Sequence, residues 1–336
     1  MKLIERIWYH NHLLRWGLWP FSWAFRCIAA LRKLVFKLGL CKPYISTVPV
    51  IIVGNIHVGG VGKTPLILKL IQHFQNNNLN AGVVSRGYGA KASVYPYEVA
   101  LNSSALEAGD EPLMIKQLTE IPVVIAPKRA EAVNYLTDHY KLDVILSDDG
   151  LQHYALDRTV EIVVMDAERL GNGMCLPAGP MRESWSRLDQ VDFVIVNNMG
   201  DHQSDPRLQR LETPVFSASL QARYWSNLQT GEQVATGYFK GQEVNVIAGI
   251  GHPERFFKTC RDLGVIICDS QEFADHHDYC QADFAKFSSE RPILMTEKDA
   301  VKCKAWVGKN AWALHVELEL QSEQNFFAQL VSKVVN

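Results

Sequence analysis

A glycine-rich turn that opens a helix is the first feature of the chain able to do chemistry. Residues 59–64 read Gly-Gly-Val-Gly-Lys-Thr and follow an apolar, β-branched-rich run over residues 48–53. Glycines let backbone N–H groups approach phosphate oxygens, and the helix start adds the positive end of its dipole. Lys63 would add a point charge, and the Thr64 hydroxyl could bind Mg²⁺. The pattern predicts a site for a nucleoside triphosphate.

The turn departs from the usual phosphate-loop pattern at one position, because His57 stands where the first glycine is expected. The simpler alternative is a glycine-rich turn that only caps a helix. The strand before it and the helix after it favour nucleotide binding. The predicted nucleotide-binding residues are His57, Val58, Gly59, Gly60, Val61, Gly62, Lys63 and Thr64.

The composition is that of a globular chain in a reducing compartment. With 336 residues, 47% of them hydrophobic and 21% charged, the chain is long enough for two domains. Its seven cysteines include no C-x-x-C pair, so the sequence implies neither a zinc site nor a disulfide framework.

The first 42 residues differ sharply in charge from the rest. They carry eight basic side chains against the single acid Glu5, a charge of +7, so the remainder carries −9 in a net charge of −2. Half of the eight tryptophans lie in the same segment: Trp8, Trp16, Trp19 and Trp23. Aromatic rings interleaved with cations suit a membrane interface that contains anionic lipid.

The same segment does not read as a membrane-spanning helix. Its longest charge-free run, residues 16–25, is ten residues long, whereas a span needs roughly 20. No small-residue cleavage site follows, which argues against a signal peptide. An amphipathic helix that packs on the protein's own body or on a twin subunit is the alternative. We expect an interfacial anchor on the cytoplasmic face of a membrane.

The body of the chain predicts an α/β fold. Apolar strands that alternate with helices are typical of a mostly parallel sheet with helices on both faces. Strands are predicted over residues 48–53, 81–85, 123–126, 144–147, 162–165 and 193–196, and helices over residues 65–75 and 128–139. A second α/β unit is predicted from strands over residues 244–250, 265–268 and 293–296 and helices over residues 253–263 and 322–334.

These patterns give four predicted regions. They are a membrane-association segment (1–42), a phosphate-loop domain (43–200), a polar, turn-rich connection (201–241) and a smaller C-terminal α/β domain (242–336). Ligands of such folds gather at the carboxyl ends of the strands.

Asp148 and Asp149 follow one of these strands. An acid at a strand end is what phosphate-loop enzymes use to hold Mg²⁺, although an Asp-Gly turn is the simpler alternative. With the phosphate loop upstream, metal binding is favoured. Nearby, His153 could contact nucleotide or phosphate, or could be a hydrogen-bonded structural histidine.

Two further strand ends or helix starts carry polar residues. Arg86 and Tyr88 stand in a glycine-flanked turn, where Arg86 could fork onto phosphate or simply lie at the surface. Asp110 precedes Glu111 and Pro112 at a helix start, where it could be an ordinary N-cap or could accept a proton from an attacking hydroxyl. Residues 273–278 hold an acid–histidine cluster without a third ligand at metal spacing.

Taken in order, these motifs resemble the tetraacyldisaccharide 4′-kinase family of lipid A biosynthesis over nearly the whole chain. The matching segments are the basic, apolar N-terminus and residues 53–55, 59–65, 85–89, 109–112, 148–153, 171–173, 176–180, 182–183, 275–276 and 296–300. Single motifs occur in other phosphate-loop proteins, but the ordered set is specific. Met181, where the family usually has leucine, is a small departure.

The resemblance implies a reaction. The γ-phosphate of ATP would move to the 4′-hydroxyl of tetraacyldisaccharide 1-phosphate, giving lipid IV-A, with ATP and Mg²⁺ as cofactors. The expected place is the cytoplasmic face of the bacterial inner membrane, as a peripheral or monotopic protein. The expected partners are the lipid substrate and the membrane surface, with no nucleic acid and no obligate protein partner.

The resemblance also assigns residues. Lys63 would neutralise the β- and γ-phosphates, and Asp110 would accept the sugar-hydroxyl proton while His276 of the second domain tunes its charge. Closure of the cleft between the domains would then exclude water. The expected Mg²⁺ residues are Thr64, Asp148, Asp149 and Glu183, and the candidate substrate contacts are Arg86, Tyr88, His153 and Arg182.

A nucleotide switch is the competing class. Partitioning-type and metal-insertion ATPases share the Gly-Gly-Val-Gly-Lys-Thr run, but usually place a second lysine just before it, where this chain has Val58. A non-catalytic membrane scaffold would not explain Lys63 and Thr64.

Overall fold

The computed structural model describes residues 3–10, 12–200, 205–287 and 290–335. The helices are α1 (Leu3–Tyr9), α2 (Leu14–Lys37), α3 (Lys63–Asn76), α4 (Ala105–Ala108), α5 (Asp110–Thr119), α6 (Arg129–His139), α7 (Pro206–Gln209), α8 (Pro253–Asp262), α9 (Gln281–Phe284), α10 (Glu297–Cys303) and α11 (Glu323–Val335). The strands are β1 (Val50–Gly54), β2 (Ala81–Ser85), β3 (Tyr97–Glu98), β4 (Val123–Ile125), β5 (Val144–Asp148), β6 (Val160–Asp166), β7 (Phe193–Asn197), β8 (Val215–Asn227), β9 (Gln233–Ala235), β10 (Glu243–Ala248), β11 (Ile266–Glu272), β12 (Ile293–Thr296) and β13 (Ala311–Leu320).

The chain forms two compact units. Unit 1 consists of residues 1–86, 121–219 and 318–336, and unit 2 consists of residues 87–120 and 220–317. Each unit is therefore built from separate stretches of the chain.

The sheet of unit 1 is parallel, in the order β7-β6-β1-β5-β2-β4, and the first residues of β8 pair with β7. Strand β1 lies in the middle and is wholly buried, which suits an uninterrupted apolar run with neighbours on both sides. The phosphate loop therefore leaves the centre of the sheet.

Helices cover this sheet with their apolar sides. Helix α3 buries one stripe of side chains at helical spacing, from Leu66 to Phe74. Helix α11 buries Phe326 against Phe193 and Phe216, with ring centroids 5.4 and 5.2 Å apart. A Lys69–Glu323 ion pair of 2.8 Å joins α3 to α11.

Unit 2 has its own sheet and core. Strands β11, β10, β12 and β13 pair in that order, all parallel, and β9 pairs antiparallel with β8. Trp225, Phe239 and Phe257 are almost fully buried in one cluster. Helices α5 and α10 pack on each other.

The predicted fold class is confirmed: a mostly parallel sheet with helices on both faces, a second α/β part and an N-terminal helix. Most predicted strands and helices lie within a few residues of the observed ones. Of the predicted connection, residues 201–241, the first four lie outside the described residues, and the rest includes strand β8 (Val215–Asn227). Half-buried and buried positions alternate along much of β8, but polar side chains occupy many of them. The apolar alternation typical of a strand is therefore weak in the sequence.

The contact-based units divide the chain differently from the sequence-based boundaries. Residues 87–120 group with residues 220–317, and residues 318–335 group with the phosphate-loop part. Sequence reasoning places boundaries where composition changes, whereas the units follow contacts between distant stretches. Asp110 and His276 consequently lie in the same unit.

Candidate active site

The phosphate loop of unit 1 has the backbone geometry that its glycines suggested. Gly59 and Gly62 have φ angles of 112° and 91°, which favour glycine, and Gly62 is the N-cap of α3. Asn55 Nδ2 donates to Gly59 O at 3.2 Å, and Asn197 Nδ2 donates to Val61 O. These side-chain bonds hold the loop open as a turn before the helix.

Lys63 at the start of α3 pairs with Asp149 at 3.3 Å. Arg182 also reaches Asp149, with Nη1 3.1 Å from Oδ2. Burial alone would raise the pKa of Asp149, but the two cations outweigh it and the pKa is lowered. Asp149 is therefore an ionised carboxylate paired with a lysine and an arginine, two kinds of side chain that also bind phosphate.

Asp148 ends β5, and its carboxylate accepts a hydrogen bond from Ser85 Oγ at 3.3 Å. Arg129 is buried and donates through Nη2 to the carbonyl oxygens of Asp148 and Asp149, at 3.3 and 3.0 Å. Asp149 itself has a φ of 47°. Arg129 thus fixes the backbone that presents both acids.

Glu183 lies in a different set of contacts. Gln152 Nε2 donates to Oε1 at 2.9 Å, the Tyr154 hydroxyl donates to Oε2 at 2.7 Å, and Arg187 Nε lies 3.5 Å from Oε2. Both oxygens are engaged by protein donors.

The oxygen donors present are of the type that Mg²⁺ prefers. They are carboxylates and a hydroxyl, on Asp148, Asp149 and Thr64. Within the described ranges no three His, Cys, Asp or Glu side chains form a complete metal cage. Mg²⁺ commonly uses one or two carboxylates and takes its other ligands from phosphates and water, so the donor set fits this ion.

Two of the predicted histidines are neutral. Burial lowers the pKa of His57, whose side chain is inaccessible, to about 4. Burial and then nearby arginines, Arg129 first, lower the pKa of His153 to about 4. The neutral side chain of His57 therefore adds no positive charge to the phosphate loop.

In unit 2 the structure brings Asp110 and His276 together. His276 Nδ1 lies 2.9 Å from Asp110 Oδ2, and Lys302 Nζ lies 3.1 Å from the same oxygen. Burial acts to raise the pKa of Asp110, but His276 and Lys302 lower it overall. The bond to Asp110 raises the pKa of His276.

The helix-cap interpretation of Asp110 does not hold. The N-cap of α5 is Gly109, with no side-chain capping bond, and Asp110 is the first helical residue. Its buried carboxylate is used for contacts with His276 and Lys302 instead.

A second lysine completes the cluster. Lys298 Nζ lies 2.7 Å from Glu111, 2.9 Å from Asp275 and 3.3 Å from His276 Nε2. Burial acts to lower the pKa of Lys298, but the carboxylates of Glu111 and Asp275 outweigh it and the pKa is raised, so the residue is charged. Lys298 thus faces the side of the imidazole opposite Asp110.

The aromatic ring of Tyr279, itself held by a buried hydrogen bond, packs against the Lys302 ammonium group. Lys302 Nζ lies 5.3 Å from the ring centroid of Tyr279, whose hydroxyl donates to Asp299 Oδ1 at 2.9 Å. Gly249 N donates to the same oxygen at 3.1 Å. The lysine is therefore held in place by groups that are themselves fixed.

The predicted substrate contacts fall in both units. Arg86 is exposed at the end of unit 1's strand β2, and Tyr88 is exposed in unit 2, with its ring 5.2 Å from that of His276. Arg182 bonds to Asp149, as described above.

Sequence reasoning missed Arg129, Lys298 and Lys302. A lone arginine or lysine on a helix is usually a surface residue, so type alone gave no signal. A weak signal was present for the lysines, because both follow the end of strand β12 in an acidic helix start.

The N-terminal segment both packs on later parts of unit 1 and exposes apolar surface. Trp8 Nε1 donates to Pro177 O at 2.9 Å, and the Ser22 hydroxyl accepts from Ala178 N at 2.9 Å. Elsewhere α2 exposes large apolar side chains: Leu14, Trp16, Trp19, Phe21, Trp23, Ile28, Leu31 and Leu34. Of the helices described, none has the length and apolar character to cross a membrane.

Comparison with known proteins gives one consistent result. A family model described as tetraacyldisaccharide-1-P 4′-kinase matches residues 14–335. A tetraacyldisaccharide 4′-kinase from Histophilus somni is 44% identical over 334 residues, covering 98% of each chain. One from Hahella chejuensis is 44% identical over 325 residues, covering 95% of this chain and 93% of that protein.

A solved structure agrees. LpxK from Aquifex aeolicus, described as being in complex with ATP, superposes with a TM-score of 0.80 at 26% identity, covering 96% of this chain and 100% of that one. The fold thus coincides over almost the full length of both chains. The chain belongs to the tetraacyldisaccharide-1-phosphate 4′-kinase family.

Proposed function

We propose how individual residues carry out this family's reaction in this chain. The protein is an ATP-dependent kinase that phosphorylates the 4′-hydroxyl of tetraacyldisaccharide 1-phosphate. The proposed phosphate-binding residues lie in unit 1, and the proposed base lies in unit 2.

Residues 59–64 hold the triphosphate, and Lys63 neutralises it. In the structure Lys63 pairs with Asp149 at 3.3 Å, so bound phosphate would replace or share this contact. The positive φ angles of Gly59 and Gly62 support the role, because a phosphate-binding turn before a helix uses backbone conformations that glycine adopts readily.

Mg²⁺ would be held by Thr64 and by Asp148 or Asp149, with Arg129 fixing the backbone of both acids. When bound, the ion would offset the charge that develops on the transferring phosphate. Glu183 would have to release Gln152 or Tyr154 to bind a metal directly.

Asp110 accepts the proton of the sugar hydroxyl. One observation carries this role: a buried carboxylate receives His276 and Lys302 on a single oxygen, Oδ2. Its other oxygen, Oδ1, is then the one suited to accept the proton. His276 and Lys302 keep the carboxylate ionised and orient it.

The segment of helices α1 and α2 lies at a membrane surface, on the cytoplasmic face of the inner membrane. The exposed tryptophans of α2 and the positive charge of residues 1–42 support this, since both suit an anionic interface.

Incubation of the purified protein with ATP and the lipid acceptor tests the function. We expect a product heavier by one phosphate, formed only when lipid, ATP and Mg²⁺ are all present. Equal ATP hydrolysis with and without lipid, and no such product, would favour a nucleotide switch instead.

A further inference from the structure

The guanidinium group of Arg169 lies against the phosphate loop. Its Cζ and Nη1 atoms are each 3.7 Å from the position that a Cβ atom on Gly59 would occupy. Gly59 carries no side chain and has a φ of 112°, so the guanidinium group of Arg169 can lie close to the loop backbone at this position. Arg169 is thus a cation beside the loop that binds phosphate.

One nitrogen of this guanidinium group, Nη1, is buried without a hydrogen-bond acceptor among the described residues, 3–10, 12–200, 205–287 and 290–335. A buried N–H donor without an acceptor is costly, and a charged donor more so. An anion that accepted from Nη1 would remove this cost.

The other side of the guanidinium is fixed by the N-terminal segment. Nη2 of Arg169 donates to the Tyr9 hydroxyl at 3.0 Å, and Cζ lies 5.0 Å from the centroid of the Tyr9 ring. The preceding residue, Trp8, contacts the segment just after Arg169, since its carbonyl oxygen accepts a hydrogen bond from Asn172 N at 3.0 Å. Tyr9 therefore orients the arginine that faces the loop.

The charge of the loop itself leaves room for a second cation. Position 58, where paired-lysine ATPases carry a lysine, is Val58. His57 is fully buried and neutral, because burial lowers its pKa to about 4. Lys63 alone supplies positive charge from within residues 57–64.

We propose that Arg169 is a second phosphate-binding cation of the nucleotide site, and that Tyr9 positions it. A guanidinium can donate two N–H bonds to one phosphate, a geometry that lysine cannot offer. The proposal rests on the assignment of residues 59–64 as the ATP site and names one further residue of that site.

Calorimetric titration of the full-length protein with Mg-ATP tests it. Arg169→Met should weaken ATP binding about 10- to 100-fold, the worth of a lost charged hydrogen bond. Arg169→Lys keeps the charge but loses the fork, and should lie between wild type and Arg169→Met. Arg207→Gln is the matched control: Arg207 also stacks on an aromatic ring, Trp185, and also bonds in this region, to Gly171 O. It should bind ATP like wild type.

Melting temperatures identify any variant that fails to fold. If Arg169→Met does not fold, the milder Arg169→Lys decides the question. Wild-type ATP affinity in the folded Arg169 variants overturns the proposal. Lys63→Ala, titrated in parallel, separates failure of the Arg169 proposal from failure of the ATP-site assignment. If Lys63→Ala also keeps wild-type ATP affinity, the assignment of residues 59–64 as the ATP site is wrong.

The role of Tyr9 has its own test. Tyr9→Phe removes the hydroxyl but keeps the ring, so ATP binding should weaken several-fold in wild type. In the Arg169→Met background the same change should have no effect, because Tyr9 acts through Arg169. Equal effects in both backgrounds would remove Tyr9 from the site.

Discussion

At the scale of single residues, the most informative group is the Asp110 carboxylate with His276 and Lys302 beside it. If Asp110 is the base and His276 tunes it, the two act as one unit, and removing either should cost about as much as removing both. The contact of 2.9 Å between them is the structural reason.

We expect Asp110→Asn to lower kcat roughly 10²- to 10⁴-fold while the affinity for ATP stays near wild type. His276→Ala should also lower kcat, and the double variant should be little worse than the worse single one. Steady-state kinetics with lipid and separate ATP titrations provide the numbers. Multiplying effects of the two changes would contradict the pairing.

A pH profile separates the part played by Lys302. The pKa of Asp110 is lowered, so the base is ionised at neutral pH and activity should fall only as the pH drops through that low value. Lys302→Met removes a cation 3.1 Å from the carboxylate, so the acid limb of kcat/KM should move to higher pH. His276, Lys298 and Glu111 also surround this carboxylate and remain in place.

Lys309→Met, in the same unit and outside the Asp110 cluster, is the control for loss of a lysine. A Lys302→Met protein that melts earlier but keeps the wild-type profile would show that Lys302 only supports the fold.

The sequence points to the phosphate loop by local chemistry alone, because glycine spacing, lysine and threonine lie next to one another in the chain. Asp110 and His276 are 166 positions apart, and no periodicity links them; only the family resemblance paired them. Arg169 had no local signal at all, because its significance depends on a tyrosine 160 positions earlier.

At the scale of elements, α2 has two different sides. Ser22 is buried and bonds to Ala178, whereas Trp16, Trp19 and Trp23 are each more than half exposed. Internal packing and interfacial binding, the two alternatives raised by the sequence, therefore concern different sides of one helix.

Replacement of Trp16, Trp19 and Trp23 by serine should greatly weaken binding to vesicles that contain anionic lipid, because interfacial aromatic surface is lost. Sedimentation with vesicles measures this, and added salt should weaken wild-type binding as the Debye length falls below ~10 Å above 0.1 M. Trp306→Ser, an exposed tryptophan of unit 2, is the control. Unchanged sedimentation of the triple variant would refute the anchor.

At the scale of the whole molecule, local patterns locate the strands of unit 1, whereas the grouping of segments into units follows contacts between distant stretches. Strands such as β2 and β5 are short apolar runs that periodicity can find. Residues 87–120 join unit 2 through contacts such as α5 with α10, which no local pattern reveals.

A fragment of residues 242–336 should therefore not behave as a folded domain. It lacks Trp225 and Phe239, which are almost fully buried in the unit 2 core, and it lacks α5. Removing large buried aromatic side chains costs about 3–5 kcal/mol each, which is comparable to the total stability of a small domain. We expect no cooperative thermal transition by circular dichroism. A sharp transition in this fragment would contradict the contact-based units.

The position of α11 has a consequence for synthesis of the protein. Its Phe326 packs against both Phe193 and Phe216 in unit 1, yet it is translated after all of unit 2. The nucleotide-binding unit is therefore incomplete while the ribosome is still making residues 220–317. A chain released early from the ribosome would lack this helix. We therefore expect prematurely terminated products to be unable to hydrolyse ATP.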